Sequence, residues 1–308
     1  TPEYNVIYRA GPEGFRSRPF PEKKPEGAYR IVVLGDSYTF GYGVEQEETF
    51  SRVLEEKLNA SRGGGVPQFE TINRGMVSYS PLVEYTVLKH YGLKYSPDLA
   101  ILCLDWSDLM NDFWYEKESV FDDRGRPSHF RVPDEKPPGM AERLLRASYL
   151  VDLVKGRLSG PAETPPVQPG NPFKDTFFFL RDEPQENYIR LYRKTADYIA
   201  MIDEFCRENG VEFLVAMYPD GAQAGPDEWS TGRQMYLIER GRTHSTECFR
   251  LMARLLDERG VRHVSALEAF RRGGERPLYF EIDGHFNAAG HEVMAEVLAE
   301  AVENIVHE

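Results

Sequence analysis

The chain has 308 residues, room for one large domain with an ample core, and carries a formal net charge of −13. That acidity argues against nucleic-acid phosphates or an anionic membrane as partners, since both need clustered Lys and Arg. Cys103, Cys206 and Cys248 are far apart and odd in number, so neither a disulfide framework nor a zinc knuckle is expected.

Residues 1–28 hold five prolines among charges and read as an extended arm lying on the domain, because Pro at that density blocks helix and central strand alike. Tyr29–Leu34 is a short apolar run stopped by Gly35, hence a buried strand. A helix follows over Thr49–Ala60, with Phe50, Val53, Leu54 and Leu58 on one face. Phe69–Asn73 is the second strand. Ser80-Pro81 opens a helix that ends near Gly92, with Ser80 as N-cap. Asp98–Leu104 is apolar on both faces and is read as a central parallel strand. Residues 113–183 are rich in proline, with one helical island at Met140–Leu158, and are read as an insertion packed on the domain. A long helix spans Pro184–Glu208, then come a strand at Val211–Met217, a helix at Thr246–Arg259, a short strand at Val261–Val264 and a last helix from Asn287 to Val306. Strand and helix alternate, so residues 29–308 are expected to form a three-layer α/β/α sandwich on a parallel five-stranded sheet. In such sheets the reactive crevice lies at the carboxyl ends of the strands.

After the first strand stands Gly35-Asp36-Ser37, with Gly41-Tyr42-Gly43 behind it. The glycine permits a tight turn and Ser37 then opens the next segment, its N–H free to bind an oxyanion. After the second strand Gly75 offers a close-approaching N–H. After the third come Asp105, Ser107, Asp108 and Asn111, whose polar groups suit either a donor role or a helix cap. Of the seven histidines, His285 stands in Asp283-Gly284-His285, where the Asp283 carboxylate can reach Nδ1 and leave Nε2 as a base. A G-x-S-x-G elbow, a Walker loop, H-E-x-x-H and a complete G-x-G-x-x-G are all missing from the sequence.

Gly35-Asp36-Ser37, the Asn73–Gly75 turn and the terminal Asp283/His285, in that order over residues 29–305, resemble the SGNH, or GDSL, hydrolase superfamily. The stretch from Tyr8 to Arg16 resembles the segment ahead of the first block in a bacterial branch often found with an upstream membrane anchor or signal; an extracytoplasmic location is therefore expected ahead of a cytoplasmic one. The resemblance implies a flavodoxin-like sheet and acyl chemistry without metal or cofactor. It implies Ser37 as nucleophile, His285 as base, Asp283 as its orienter, and the N–H groups of Ser37 and Gly75 in the oxyanion hole. The family's Asp usually stands three residues before its His, where this chain has Ile282, so Glu281 is a reserve orienter. The family's Gly-x-Asn-Asp block reads Asp105-Trp106-Ser107-Asp108, so the third oxyanion donor is Ser107 by register, with Asn111 as the alternative. The expected activity is hydrolysis of O-acyl esters, acetyl foremost, of carbohydrates or small molecules. Transfer to a sugar hydroxyl is the alternative, and a non-catalytic polysaccharide-binding relative is a third reading. Phe113, Trp114, Tyr115, Phe121, Phe130 and Phe173 of the insertion are candidates to overhang the crevice and face sugar rings.

Overall fold

The computed structural model describes residues 3–11, 13–60, 68–131, 175–273 and 276–307. Beyond an extended arm over residues 3–28, the elements in chain order are β1 (Tyr29–Leu34), α1 (Ser37–Phe40), α2 (Phe50–Ala60), β2 (Phe69–Asn73), α3 (Pro81–Val87), β3 (Leu99–Leu104), α4 (Asp108–Glu118), β4 (Ser119–Phe121), β5 (Pro127–Phe130), α5 (Glu186–Glu208), β6 (Glu212–Met217), α6 (Gly221–Ala224), α7 (Ser230–Met235), α8 (Glu247–Asp257), β7 (His263–Ser265), α9 (Leu267–Arg272) and α10 (Ala288–His307).

Five strands form one sheet in the order β2-β1-β3-β6-β7, every pair parallel. This is the flavodoxin-like order, and the chain reverses direction across the sheet at β1 and β3. The strands are apolar on both faces because both are covered. Val32, Leu34, Ala100, Leu102, Leu104, Phe213, Val215 and Met217 face one core, where α5 packs against α3, α4 and α8. Ile31, Val33, Leu99, Ile101, Cys103, Leu214 and Ala216 face the other, under α2 and α10. That alternation puts the ends of β1 and β3 side by side, with Leu34 paired to Leu102.

The expected strands and long helices are present, and the differences are local. Ser80 stands at the N-cap position of α3, but its hydroxyl makes no capping hydrogen bond. The break expected at residue 113 begins later. Residues 113–118 are the last turns of α4, and Phe113 and Tyr115 pack against the core. An antiparallel hairpin of β4 and β5 follows, tied to α5 by Arg126, which donates to Glu208 at 2.6 and 2.8 Å and to Glu204 at 3.2 Å. Phe130 packs edge-on to Tyr115, and Phe113 edge-on to Trp114 under the Lys117 ammonium. Met140–Leu158 and Phe173 lie outside the described residues. Phe178, Phe179 and Leu180 are buried in the main core rather than in an insertion. Among the described residues no helix is long and apolar enough to cross a membrane.

Candidate active site

The site starts at a steric constraint. Gly35 ends β1 with φ +151°, and a Cβ there would lie 2.1 Å from Thr39 Oγ1 and 3.1 Å from the Cys103 carbonyl, so only glycine fits. The turn it allows makes Asp36 the N-cap of α1, accepting from the Tyr38 N–H at 2.9 Å and from the buried Tyr218 hydroxyl at 3.0 Å. Ser37 is then the first residue of α1, half-buried. Its N–H has no earlier carbonyl in the helix and finds no acceptor among the described residues.

The partner comes from the loop ahead of α10. Phe280 N–H donates to the His285 carbonyl at 2.8 Å and Gly284 N–H to the Phe280 carbonyl at 3.2 Å, closing a tight loop over residues 280–285. Asn287 Oδ1 accepts from Ala289 N–H at 2.9 Å and so caps α10 behind it. In that loop Asp283 Oδ1 is hydrogen-bonded to His285 Nδ1, and His285 Nε2 lies 2.7 Å from Ser37 Oγ. Tyr38 and Tyr42 flank the imidazole at ring-centroid distances of 4.7 and 5.1 Å, and the Tyr38 hydroxyl donates to the Gly284 carbonyl at 3.0 Å. Burial pushes the Asp283 carboxyl up, but the hydrogen bonds and charge of His285 and the Tyr4 hydroxyl together hold it below its ordinary range. An ionised Asp283 fixes the proton on Nδ1, so Nε2 accepts from the Ser37 hydroxyl. His291, six residues on, does none of this. It is buried, burial pulls it down to about 3, and its Nδ1 accepts from Phe50 N–H at 3.2 Å. Glu281 is exposed and held by Thr231 Oγ1 at 2.6 Å and Ser230 Oγ at 3.1 Å, so the reserve orienter is engaged elsewhere.

Two of the expected oxyanion donors are also engaged. The Gly75 N–H donates to Asn73 Oδ1 at 2.8 Å, with Gly75 packed so closely on α1 that a Cβ would lie 2.5 Å from Phe40 N. Ser107 is exposed at the start of α4. Its hydroxyl donates to Asp105 Oδ2, and its N–H reaches the same oxygen at 3.0 Å. The position is the expected one, but Asp105 stands where the family has glycine, and its carboxylate captures the serine. Asn111 is half-buried one turn on, its N–H bonded to the Ser107 carbonyl at 3.0 Å. Its side-chain amide has no partner among the described residues.

Sequence reasoning foresaw an arm on the domain but missed its contacts with the site. Tyr4 donates to Asp283 Oδ2 at 2.8 Å, and the Glu3 carboxylate accepts from the Ile282 and Asp283 N–H groups at 2.9 and 2.8 Å. Buried Arg16 donates to the carbonyls of Phe40, Gly41 and Val44. These contacts span up to 280 residues of chain, and no local pattern announces them.

A second unexpected feature is a set of carboxylates. Asp36, Asp105 and Asp108 bring one oxygen each within 4.8 Å of one another, all buried. Burial, then the Asp105 charge, pushes Asp36 up to about 7 against the pull of His285, Tyr38 and Tyr218; burial also raises Asp105 and Asp108. The oxygens have the chemistry of hard-cation ligands, but three fall short of the six to eight that Ca²⁺ takes. Protonation is the other way to relieve the charge, and the raised titration of all three follows that route.

Residues 171–307 match the family of the SGNH hydrolase-like domain, acetyltransferase AlgX. This C-terminal stretch is similar to an SGNH hydrolase-like domain. The matched stretch includes Asp283 and His285; Ser37, Gly75 and Ser107 precede it. Among solved structures, a lipolytic protein of the G-D-S-L family from Desulfitobacterium hafniense DCB-2 is 14% identical, covering 88% of this chain and 98% of its own, with a TM-score of 0.46. The acetyl xylan esterase AlAXEase is 13% identical over 89% and 99%, TM-score 0.46. A two-domain esterase active on acetylated mannans is 14% identical over 91% and 50%, TM-score 0.44. Among curated proteins none matches the sequence. The end of the first strand thus meets the loop ahead of the last helix through Ser37 and His285, while the Gly75 N–H and the Ser107 hydroxyl are each bonded to a neighbouring side chain.

Proposed function

We propose that the protein is a serine acyl-transfer enzyme that hydrolyses O-acetyl esters, with a carbohydrate as the expected alcohol. The observation that carries this is the 2.7 Å contact between Ser37 Oγ and His285 Nε2, with Asp283 on the far nitrogen. Ser37 Oγ attacks the ester carbonyl and its proton passes to His285 Nε2. The Ser37 N–H donates to the oxyanion, with Asn111 Nδ2 as the second donor. Collapse breaks the ester C–O bond, and His285 returns the proton to the leaving alcohol oxygen. His285 then takes a proton from water, hydroxide attacks the acetyl-Ser37 carbonyl, and acetate leaves as the proton returns to Ser37 Oγ.

A second reading is favoured by one observation, the family match to an acetyltransferase. A sugar hydroxyl would then take the place of water in the second half, with the same residues. The deciding experiment incubates the protein with an acetyl donor, with and without an oligosaccharide. Free acetate at equal rates in both supports hydrolysis. Acetylated sugar appearing at the expense of acetate makes transfer the function. Neither product, together with no phosphonate adduct on Ser37, overturns both.

A further inference from the structure

The arm touches the site at two places. At its outer end Glu3 and Tyr4 are half-buried against the 280–285 loop; at its inner end Arg16 is buried against the 40–44 loop and Phe15 against Tyr91; residues 7–10 between them are exposed. Tyr4 meets Phe280 at 4.8 Å and Tyr42 at 6.0 Å between ring centroids. Tyr8 stacks on Tyr42 at 5.7 Å, and its hydroxyl accepts from the Gly43 N–H at 2.8 Å. Tyr42 in turn lies 5.1 Å from the His285 ring. The arm therefore bears on the imidazole through Tyr42 and through Asp283.

The Tyr4 contact is the specific one. A carboxylate has two oxygens; in Asp283 Oδ1 serves His285 and Oδ2 receives the Tyr4 hydroxyl. With both oxygens engaged the carboxylate plane is fixed, and with it the line along which Nδ1 is held. Glu3 fixes the same residue from behind, through the two backbone N–H groups of residues 282 and 283. We propose that Tyr4 and Glu3 are positioning residues for the Ser37–His285–Asp283 site, so that docking of the arm completes the reactive geometry. This rests on the acyl-transfer reading for its kinetic consequence, and on geometry alone for its structural one.

The test is a double-mutant cycle in the full chain: parent, Tyr4→Phe, Asp283→Asn and the double variant, assayed on a small acetyl ester and observed by proton NMR at the His285 Nδ1–H, assigned by its loss in His285→Ala. Tyr4→Phe removes one hydrogen bond to a charged group and should lower kcat about 3- to 10-fold with KM changed less than about twofold. In the Asp283→Asn background it should add almost nothing, because the carboxylate it holds is gone. Glu3→Ala should lower kcat likewise, and Glu3→Gln, which keeps an acceptor oxygen, should recover part of it. The Nδ1–H resonance should move in Tyr4→Phe. An unchanged kcat, or an equal loss in both backgrounds, reduces the arm to a stabilising wrap and overturns the proposal. If the parent turns over no ester, the acyl-transfer reading fails separately, and an unmoved Nδ1–H resonance then overturns the proposal by itself.

Discussion

Two serines begin helices at adjacent strand ends, each beside a buried aspartate, and they end up in opposite states. At the end of β1, Ser37 Oγ is 2.7 Å from His285 Nε2 and 3.4 Å from Asp36 Oδ2. At the end of β3, the Ser107 hydroxyl and N–H both turn onto Asp105. The aspartates have different surroundings. Asp36 Oδ1 is taken by the Tyr38 N–H and the Tyr218 hydroxyl, and a histidine stands ready for the serine. Among the described residues Asp105 receives no such tyrosine, so its nearest donors are those of Ser107. A serine's chemistry is set by which acceptor its hydroxyl meets, and that depends on who already occupies the neighbouring carboxylate.

The largest test of that contrast removes the favoured serine and its partners. Ser37→Ala and His285→Ala should each lower ester turnover by about 10³-fold or more, with near-native circular dichroism. Asp283→Asn should cost as much or somewhat less, because it leaves the geometry but favours the wrong tautomer. Glu281→Gln should change kcat by less than about twofold, since its carboxylate serves Ser230 and Thr231. A phosphonate adduct mapped to Ser107 instead of Ser37 would reverse the comparison outright.

Much of this arrangement was legible in the sequence, and the parts that were not share a cause. The strands showed themselves as short apolar runs, and the order of Gly35-Asp36-Ser37 and Asp283-x-His285 placed the dyad and the serine at sheet ends that the fold brings together. What the oxyanion-hole candidates bond to was not legible, because a donor's position is local but its partner is not: the Gly75 N–H donates to Asn73 Oδ1, and the Ser107 hydroxyl to Asp105. The arm contacts were invisible because Glu3 and Tyr4 meet a loop 279 residues or more away. The one-turn helices α1 and α6 and the six-residue α7 and α9 are too short to show a 3.6-residue period.

The comparison sharpens at β3. With its hydroxyl held by Asp105, Ser107→Ala should lower turnover less than about threefold. Asn111→Ala removes an amide without a competing partner and should lower it by about 10- to 10²-fold, within the range of losing an oxyanion donor once the Ser37 N–H remains. Steady-state kinetics on one ester decides between them. A loss of tenfold or more in Ser107→Ala, with Asn111→Ala silent, would return Ser107 to the oxyanion hole and show that Asp105 does not hold it during turnover.

The smallest effect concerns the two aspartates themselves. Asp36 is raised by burial to about 7, as is Asp220; Asp112, buried with hydrogen bonds from Leu82 N–H and Thr195, is raised to about 6. A carboxyl whose folded pKa lies above its unfolded value of about 4 keeps its proton in the folded state where the unfolded chain has lost it. Its stabilising share is full at the acid end, falls as pH rises from about 4 to the folded pKa, and changes no further above it. Asp283 has the opposite sign: its share is present above the ordinary carboxyl range and is lost only as pH falls below it. Between pH 5 and pH 8 the Asp36 class dominates, so Tm should fall by a few degrees across that window. Asp36→Asn keeps an acceptor for Tyr38 and Tyr218 but titrates no proton, and should make the fall shallower. The same melts in 1 mM EDTA and in 1 mM Ca²⁺ should superimpose. A Tm raised by Ca²⁺ and abolished in Asp108→Asn would mean that a cation, not protons, neutralises the carboxylates between the two serines, and the contrast between their aspartates would have to be redrawn around that ion.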